Sequence, residues 1–246
     1  MKTMKTMKTM KTMKAALVLG MIFLFTTAFG QSNEMMTGKI ENNKKSVQTH
    51  FDIMVNMATT NLNYGEAENN LTDYKKSLRG LQAGFSFQAG VTPSFSLVSE
   101  LYYMRKGGTL KSNNPLTGNE STIRLNSIEL PVLARFHIGR IYLNAGPSMA
   151  YNFSGNRKFS EGSTKLEFSG SSDGFKRLDA SVQVGGGFAI PSKKKSITVD
   201  IRYVHGLSDI TNGHDIKTRS LLVSLYFSKL WKTNPLAKKQ YQETGF

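Results

Sequence analysis

The sequence predicts an all-β fold: an eight-stranded antiparallel up-and-down transmembrane β-barrel with short periplasmic turns and long extracellular loops. Three observations predict it. Eight segments alternate apolar and polar residues, the connections between them alternate in length, and the apolar faces carry aromatics near both ends. In "RIYLNAGPSMAYNFSG", residues 140–155, Ile141, Leu143, Ala145, Met149, Tyr151 and Phe153 hold odd positions. Tyr142, Asn144, Ser148 and Asn152 hold even ones, so a strand here has one apolar and one polar face.

The eight segments are His50–Ala58, Leu81–Ala89, Phe95–Met104, Ser127–Ile138, Ile141–Ser154, Leu178–Ile190, Ile197–Gly206 and Ser220–Ser228. Their length, about ten residues, suits a tilted membrane-crossing strand and exceeds the soluble average of five or six. "GVTPS" (90–94), "GR" (139–140) and "PSKKKS" (191–196) are short connections. Segments 59–80, 105–126, 155–177 and 207–219 are long and polar. Short turns on one side and long loops on the other are the organisation of outer-membrane barrels. If the apolar face is outward, Tyr103, Tyr151, Phe153 and Tyr203 form a girdle near the long loops. Phe95, Phe136, Phe188 and Phe227 form a second near the short turns, with aliphatic residues between. Two girdles bounding an aliphatic band match the two lipid interfaces.

The chain opens on "MKTMKTMKTMKTMK", five lysines and no acid, followed by the apolar run "AALVLGMIFLFTTAF" and "GQSNE". This reads as a signal peptide over 1–30, cleaved after Gly30; the run is too short to span a bilayer comfortably as an anchor. The "MKT" period is far too short for a structural repeat, and a start at Met13 would still leave a working signal. Residues 31–49 are then an N-terminal periplasmic segment, 50–228 the barrel and 229–246 a polar tail. Loss of the five leader lysines takes the net charge from +15 to +10. The remaining cations lie in loops and tail without aromatic interleaving, which argues for no nucleic acid and for attraction to outer-membrane lipid headgroups. With no cysteine, the chain has neither a disulfide scaffold nor a zinc–thiolate site.

"FSLVSELYYMRKGG" followed by "LNSIELPVLARFHIGRIYLNAGPSMAYNFSG" resembles the PorT-like outer-membrane β-barrel family. The matching motifs are Glu100-Leu101-Tyr102-Tyr103-Met104-Arg105-Lys106-Gly107, Ile128-Glu129-Leu130-Pro131 and Ala145-Gly146-Pro147. "VQVGGGFAIP" and "DIRYVHGLSDI" resemble the family's sixth and seventh strands, whereas "HFDIMVNMATTNL" lacks its usual Gly-rich first strand. The resemblance implies an outer-membrane location and a secretion-associated role for some members. It also implies the barrel-assembly machinery as a partner, with Phe227 or Trp231 as the terminal aromatic it reads.

Glu100, Glu129, Arg135, Asp179, Asp200 and Arg202 all face the lumen in this register. An eight-stranded lumen is just wide enough for side chains to fill, so these charges must pair or stay wet. The expectation is a charge cluster in which Arg202 bridges Glu100 and Glu129, Arg135 is a secondary partner, and Gly185 opposite Arg202 leaves it room. Catalysis is not expected: His50, His137, His205 and His214 lack a companion Ser and carboxylate at one level, and no metal-ligand or cofactor spacing occurs. The expected protein is an integral outer-membrane protein of a Gram-negative cell. It would act structurally, or on a protein partner through its extracellular loops or periplasmic face. A small pore, and a secreted lipocalin-like binder of an apolar ligand, are the open alternatives.

Overall fold

The structure is a computed structural model that describes residues 50–191 and 195–229. Its strands are β1 (His50–Asn63), β2 (Lys75–Thr92), β3 (Phe95–Leu110), β4 (Ser121–Ile138) and β5 (Ile141–Phe159). They continue with β6 (Gly162–Lys165), β7 (Leu178–Pro191), β8 (Lys195–Gly206) and β9 (Lys217–Lys229). Eight of them form a ring in the order β4-β3-β2-β1-β9-β8-β7-β5, closed by pairing of β4 with β5. All neighbours are antiparallel, and four-residue β6 pairs back on the loop-side end of β5. Closure leaves no open edge, the condition for a sheet to survive in lipid.

One turn is as tight as expected and a second is tighter. Ile138 pairs with Ile141 around Gly139-Arg140, and Gly139 at φ +65° supplies the left-handed first position of a type II′ hairpin. Thr92 pairs with Phe95 around Pro93-Ser94, so β2 outlasts its expected end at Ala89. The third short connection, and the expected segments 1–49 and 230–246 with Trp231, lie outside the described residues.

The long connections are shorter than expected. β1 runs on to Asn63, β3 to Leu110 and β5 to Phe159, while β2 begins at Lys75 and β4 at Ser121. Beyond the lipid the outer face no longer needs apolar residues, so backbone pairing continues after the alternation stops. Lys106-Gly107-Gly108 therefore reads as loop while sitting in a strand.

The faces fall as the alternation predicts. Ile141, Leu143, Tyr151 and Phe153 point out, each at least 42% exposed, and Tyr142, Asn144, Ser148 and Asn152 point in, each at most 3%. A lipocalin-like barrel requires the reverse. In β1, Phe51, Ile53, Val55 and Met57 are outward and Asp52, Met54, Asn56 and Ala58 inward, so this strand keeps the register despite its unusual sequence. Phe95 and Phe136 meet at 4.9 Å near the short turns, Tyr103 and Phe153 at 6.3 Å toward the loops. Tyr151, Tyr203, Phe188 and Phe227 are also exposed, and Phe51, stacked on Phe85 at 5.6 Å, adds an aromatic at the short-turn end.

Candidate functional site: a charged lumen under an apolar cap

Strand alternation delivers the lumen side chains. Even positions of β3 and β8 and odd positions of β4 and β7 turn inward, which brings Glu100, Arg202, Asp200, Glu129, Arg135 and Asp179 inside, each at most 4% exposed. Arg202 lies at the middle. Its Nη1 and Nη2 donate to Glu100 Oε2 and Oε1 at 2.8 and 3.0 Å, the two-pronged fork that a planar guanidinium suits. Its Nε donates to Asp200 Oδ1 at 2.6 Å, two residues away on the same face. Tyr226 donates to Glu100 Oε1 at 2.9 Å, and Tyr142 and Asn144 donate to Asp200 Oδ2 at 2.8 and 2.9 Å. Gly185 pairs opposite Arg202, and a Cβ there would stand 2.5 Å from the Arg202 Cγ. Two residues on, Gly187 likewise yields space to Tyr142, whose hydroxyl oxygen lies 2.3 Å from where a Cβ would be.

The expected Arg202 bridge between Glu100 and Glu129 does not form. Glu129 pairs opposite Tyr102, further along β3 toward the loops than Glu100, and its cation is Lys106 at 3.0 Å. Lys106 also reaches Asp179 at 2.7 Å, and Ser208 donates to the other Asp179 oxygen at 3.0 Å. Lys106 lies beyond Met104, where the alternation that marks the third segment stops, and it becomes a lumen residue only because β3 runs on to Leu110. Tyr102 donates to Glu129 at 3.2 Å and accepts from Gln183, whose carbonyl accepts from Arg202, so the two ion clusters are wired together.

Arg135 is not a partner of either glutamate. Its Nη1 donates to Gln88 at 2.9 Å and its guanidinium stacks on the Tyr142 ring at 4.0 Å. Nearby, His137 Nε2 lies 3.0 Å from Ser96 Oγ, a serine–histidine contact between β4 and β3 that no sequence motif marks. Among the described residues no carboxylate bonds to the His137 ring, so nothing there orients it as a triad requires.

A second, apolar layer closes the loop end. Leu62 of β1, Leu110 of β3 and Ile123 and Leu125 of β4 pack with Tyr64, Leu71, Phe175, Ile210 and Ile216 from three loops. The loops read as uniformly polar because these five residues are scattered singly through them. Phe175 bridges Thr211, and Lys176 N donates to the Ile210 carbonyl at 2.8 Å, so the last two loops are stitched together. The first loop folds into helical turns at Gly65–Ala67, Glu68–Leu71 and Thr72–Tyr74. Glu68 clasps it, accepting from the Tyr64 amide at 3.0 Å and pairing with Lys75.

Burial alone would raise the Glu68 carboxyl, but the Lys75 ammonium, the Tyr64 amide and Asn63 outweigh it and hold it below its ordinary 4.5. A lowered carboxyl stabilises the fold above its unfolded value and loses that contribution as pH falls through the folded one. Hydrogen exchange of the 64–74 amides, corrected for its intrinsic pH dependence, should therefore quicken as the pH drops below about 4.5 in wild type. In Glu68→Gln it should be fast on both sides of that pH, and identical profiles for the two would refute the clasp.

Fold and lumen define a transmembrane β-barrel whose interior is occupied by its own side chains. The family described as outer membrane protein beta-barrel domain matches residues 29–212. The chain belongs to that family, and the protein resides in the outer membrane, so the secreted lipocalin reading falls. No curated protein matches the chain. Among solved structures it is similar to Ail of Yersinia pestis, in complex with the heparin analogue sucrose octasulfate: 12% identity, TM-score 0.41, 74% of this chain and 99% of that one. Neisserial surface protein A gives 12%, 0.42, 74% and 97%. OprG of Pseudomonas aeruginosa gives 11%, 0.34, 75% and 95%.

Proposed function

We propose that this protein is a sealed, non-catalytic outer-membrane barrel that acts as a structural or interaction protein through its pinned extracellular loops. The observation that carries the reading is the double closure of the lumen. The Lys106–Glu129–Asp179 and Arg202–Glu100–Asp200 clusters reach across it from β3 to β7 and β8, and the apolar layer around Leu62, Phe175 and Ile210 packs at its loop end. Ions crossing such a lumen would have to displace fully desolvated ion pairs. Purified protein in a planar bilayer should show no steady current above the lipid background. An ion-selective current from wild type would replace this reading with the small pore.

A secretion-associated role as in PorT-like barrels is the specific form of the proposal. It is supported by the Glu100–Gly107, Ile128–Pro131 and Ala145–Pro147 motifs. Deleting the gene should lower the surface or medium level of exported proteins without lowering their synthesis; unchanged export would remove the secretion role. Insertion by the barrel-assembly machinery belongs to the same proposal, with Phe227, exposed near the end of β9, as the aromatic it reads.

A further inference from the structure

Above the girdle the outside of the barrel is electrically lopsided. On β2 the outward residues after Leu81 include Arg79 and Lys76; on β3 Arg105 follows Tyr103; on β4 Arg124 lies beyond Ile128. On β5 Lys158 lies beyond Phe153, and on β6 Lys165 pairs with outward Asn156. The loop-side segments 75–81, 105–110, 121–126, 154–159 and 162–165 contain no Asp or Glu at all. The residues are in register across the wall. Arg105 pairs with Asn126 and Asn126 with Ser154; one step higher, Gly107 pairs with Arg124, Arg124 with Asn156 and Asn156 with Lys165. On the other wall, Lys217 lies 3.2 Å from Asp215, and Arg219 lies 3.7 Å from the Glu68 carboxylate that it shares with Lys75. Among the described residues, Arg79, Arg105 and Arg124 form no ion pair.

Asn126 sets the geometry of the patch. Its Oδ1 accepts from Tyr103 OH at 2.8 Å and from Arg105 Nε at 3.3 Å, and its Nδ2 donates to Ser154 at 2.9 Å. This holds the Arg105 guanidinium just above a girdle tyrosine, with its two terminal nitrogens unbonded to the described residues. A side chain two residues beyond an interfacial tyrosine sits about 7 Å further along the strand, at headgroup depth.

We propose that the β2–β6 wall is a docking surface for the phosphorylated sugar headgroup of an outer-leaflet glycolipid, with Arg79, Arg105 and Arg124 as its phosphate ligands. Sugar phosphate monoesters at the lipid boundary present pairs of non-bridging oxygens that guanidinium forks match. The Asn126, Ser154 and Asn156 amides and hydroxyls beside them suit the sugar. Lys76, Lys158 and Lys165 extend the positive field without fixed geometry.

The test uses the full folded barrel in detergent with EDTA, so that no divalent cation bridges phosphate to protein. Bisphosphorylated lipid A and its fully dephosphorylated form are the probes, and native mass spectrometry reads retention. Wild type should hold the bisphosphorylated lipid at least about tenfold more tightly than the dephosphorylated one, with a preference that fades in salt. Arg79→Gln/Arg105→Gln/Arg124→Gln should abolish the preference, while Lys217→Gln/Arg219→Gln keeps it. Should the triple variant fail to show the heat-modifiable mobility of a folded barrel, Arg105→Gln and Arg124→Gln singly should each reduce it severalfold. Equal retention of both lipids by wild type, retention unchanged by the arginine variants, or equal loss in the Lys217/Arg219 variant would overturn the proposal.

Discussion

Replacing Arg202 with alanine is expected to destabilise the barrel by about 3–5 kcal/mol, because it strands Glu100 and Asp200 in the lumen without their counter-ion. Both carboxylates and the guanidinium are fully buried, so solvent cannot take over. Urea unfolding from lipid vesicles, followed by the mobility shift of folded against unfolded protein, measures the loss. Arg202→Lys should cost less, since it keeps the charge and gives up the two-pronged contact. The triple replacement Glu100→Gln/Asp200→Asn/Arg202→Met should recover much of the stability lost in Arg202→Ala, because no uncompensated charge remains. If the alanine variant unfolded within about 1 kcal/mol of wild type, the lumen would be wet enough to solvate its charges, and the sealed reading would fail with it.

The second large effect is expected on the outside. Val184 is the middle of the seven outward residues of β7, from Leu178 to Ile190, and is 53% exposed in the isolated chain. Val184→Arg should oppose insertion by about 2–4 kcal/mol, the cost of a guanidinium near the bilayer midplane. Leu143→Arg should cost less, because Leu143 is only the second outward residue of β5 after Ile141 and its side chain can snorkel to the interface. Ser148→Thr, on the lumen face of β5, should be mild. A penalty at Ser148 equal to that at Val184 would contradict the assignment of faces.

These variants separate what alternation encodes from what it does not. A period of two in the sequence is a local geometric fact: successive Cβ atoms point to opposite faces, so one buried face fixes every other side chain. From it came the eight crossing strands, the outward set on β5, the girdle aromatics, the inward Glu100, Glu129, Asp200 and Arg202, and Gly185 opposite Arg202. The lopsided charge of the loop-side wall was also present in the sequence, hidden because its arginines and lysines read as loop residues.

Partner choice inside the barrel was decided only by the tertiary structure. Alternation tells which side chains enter the lumen, but it leaves open which of several nearby charges each one meets. The fork of Arg202 closes on Glu100 and Asp200, while the flexible stem of Lys106 brings an ammonium to Glu129 and Asp179. That lysine lies past the point where the lipid stops enforcing an apolar outer face, so its strand had lost the pattern that would reveal it. The apolar cap has the same origin. Tyr64, Leu71, Phe175, Ile210 and Ile216 are distant in sequence and individually unremarkable among polar neighbours. They become a layer because barrel closure brings three loops over one mouth, where burying scattered apolar groups together removes them from water.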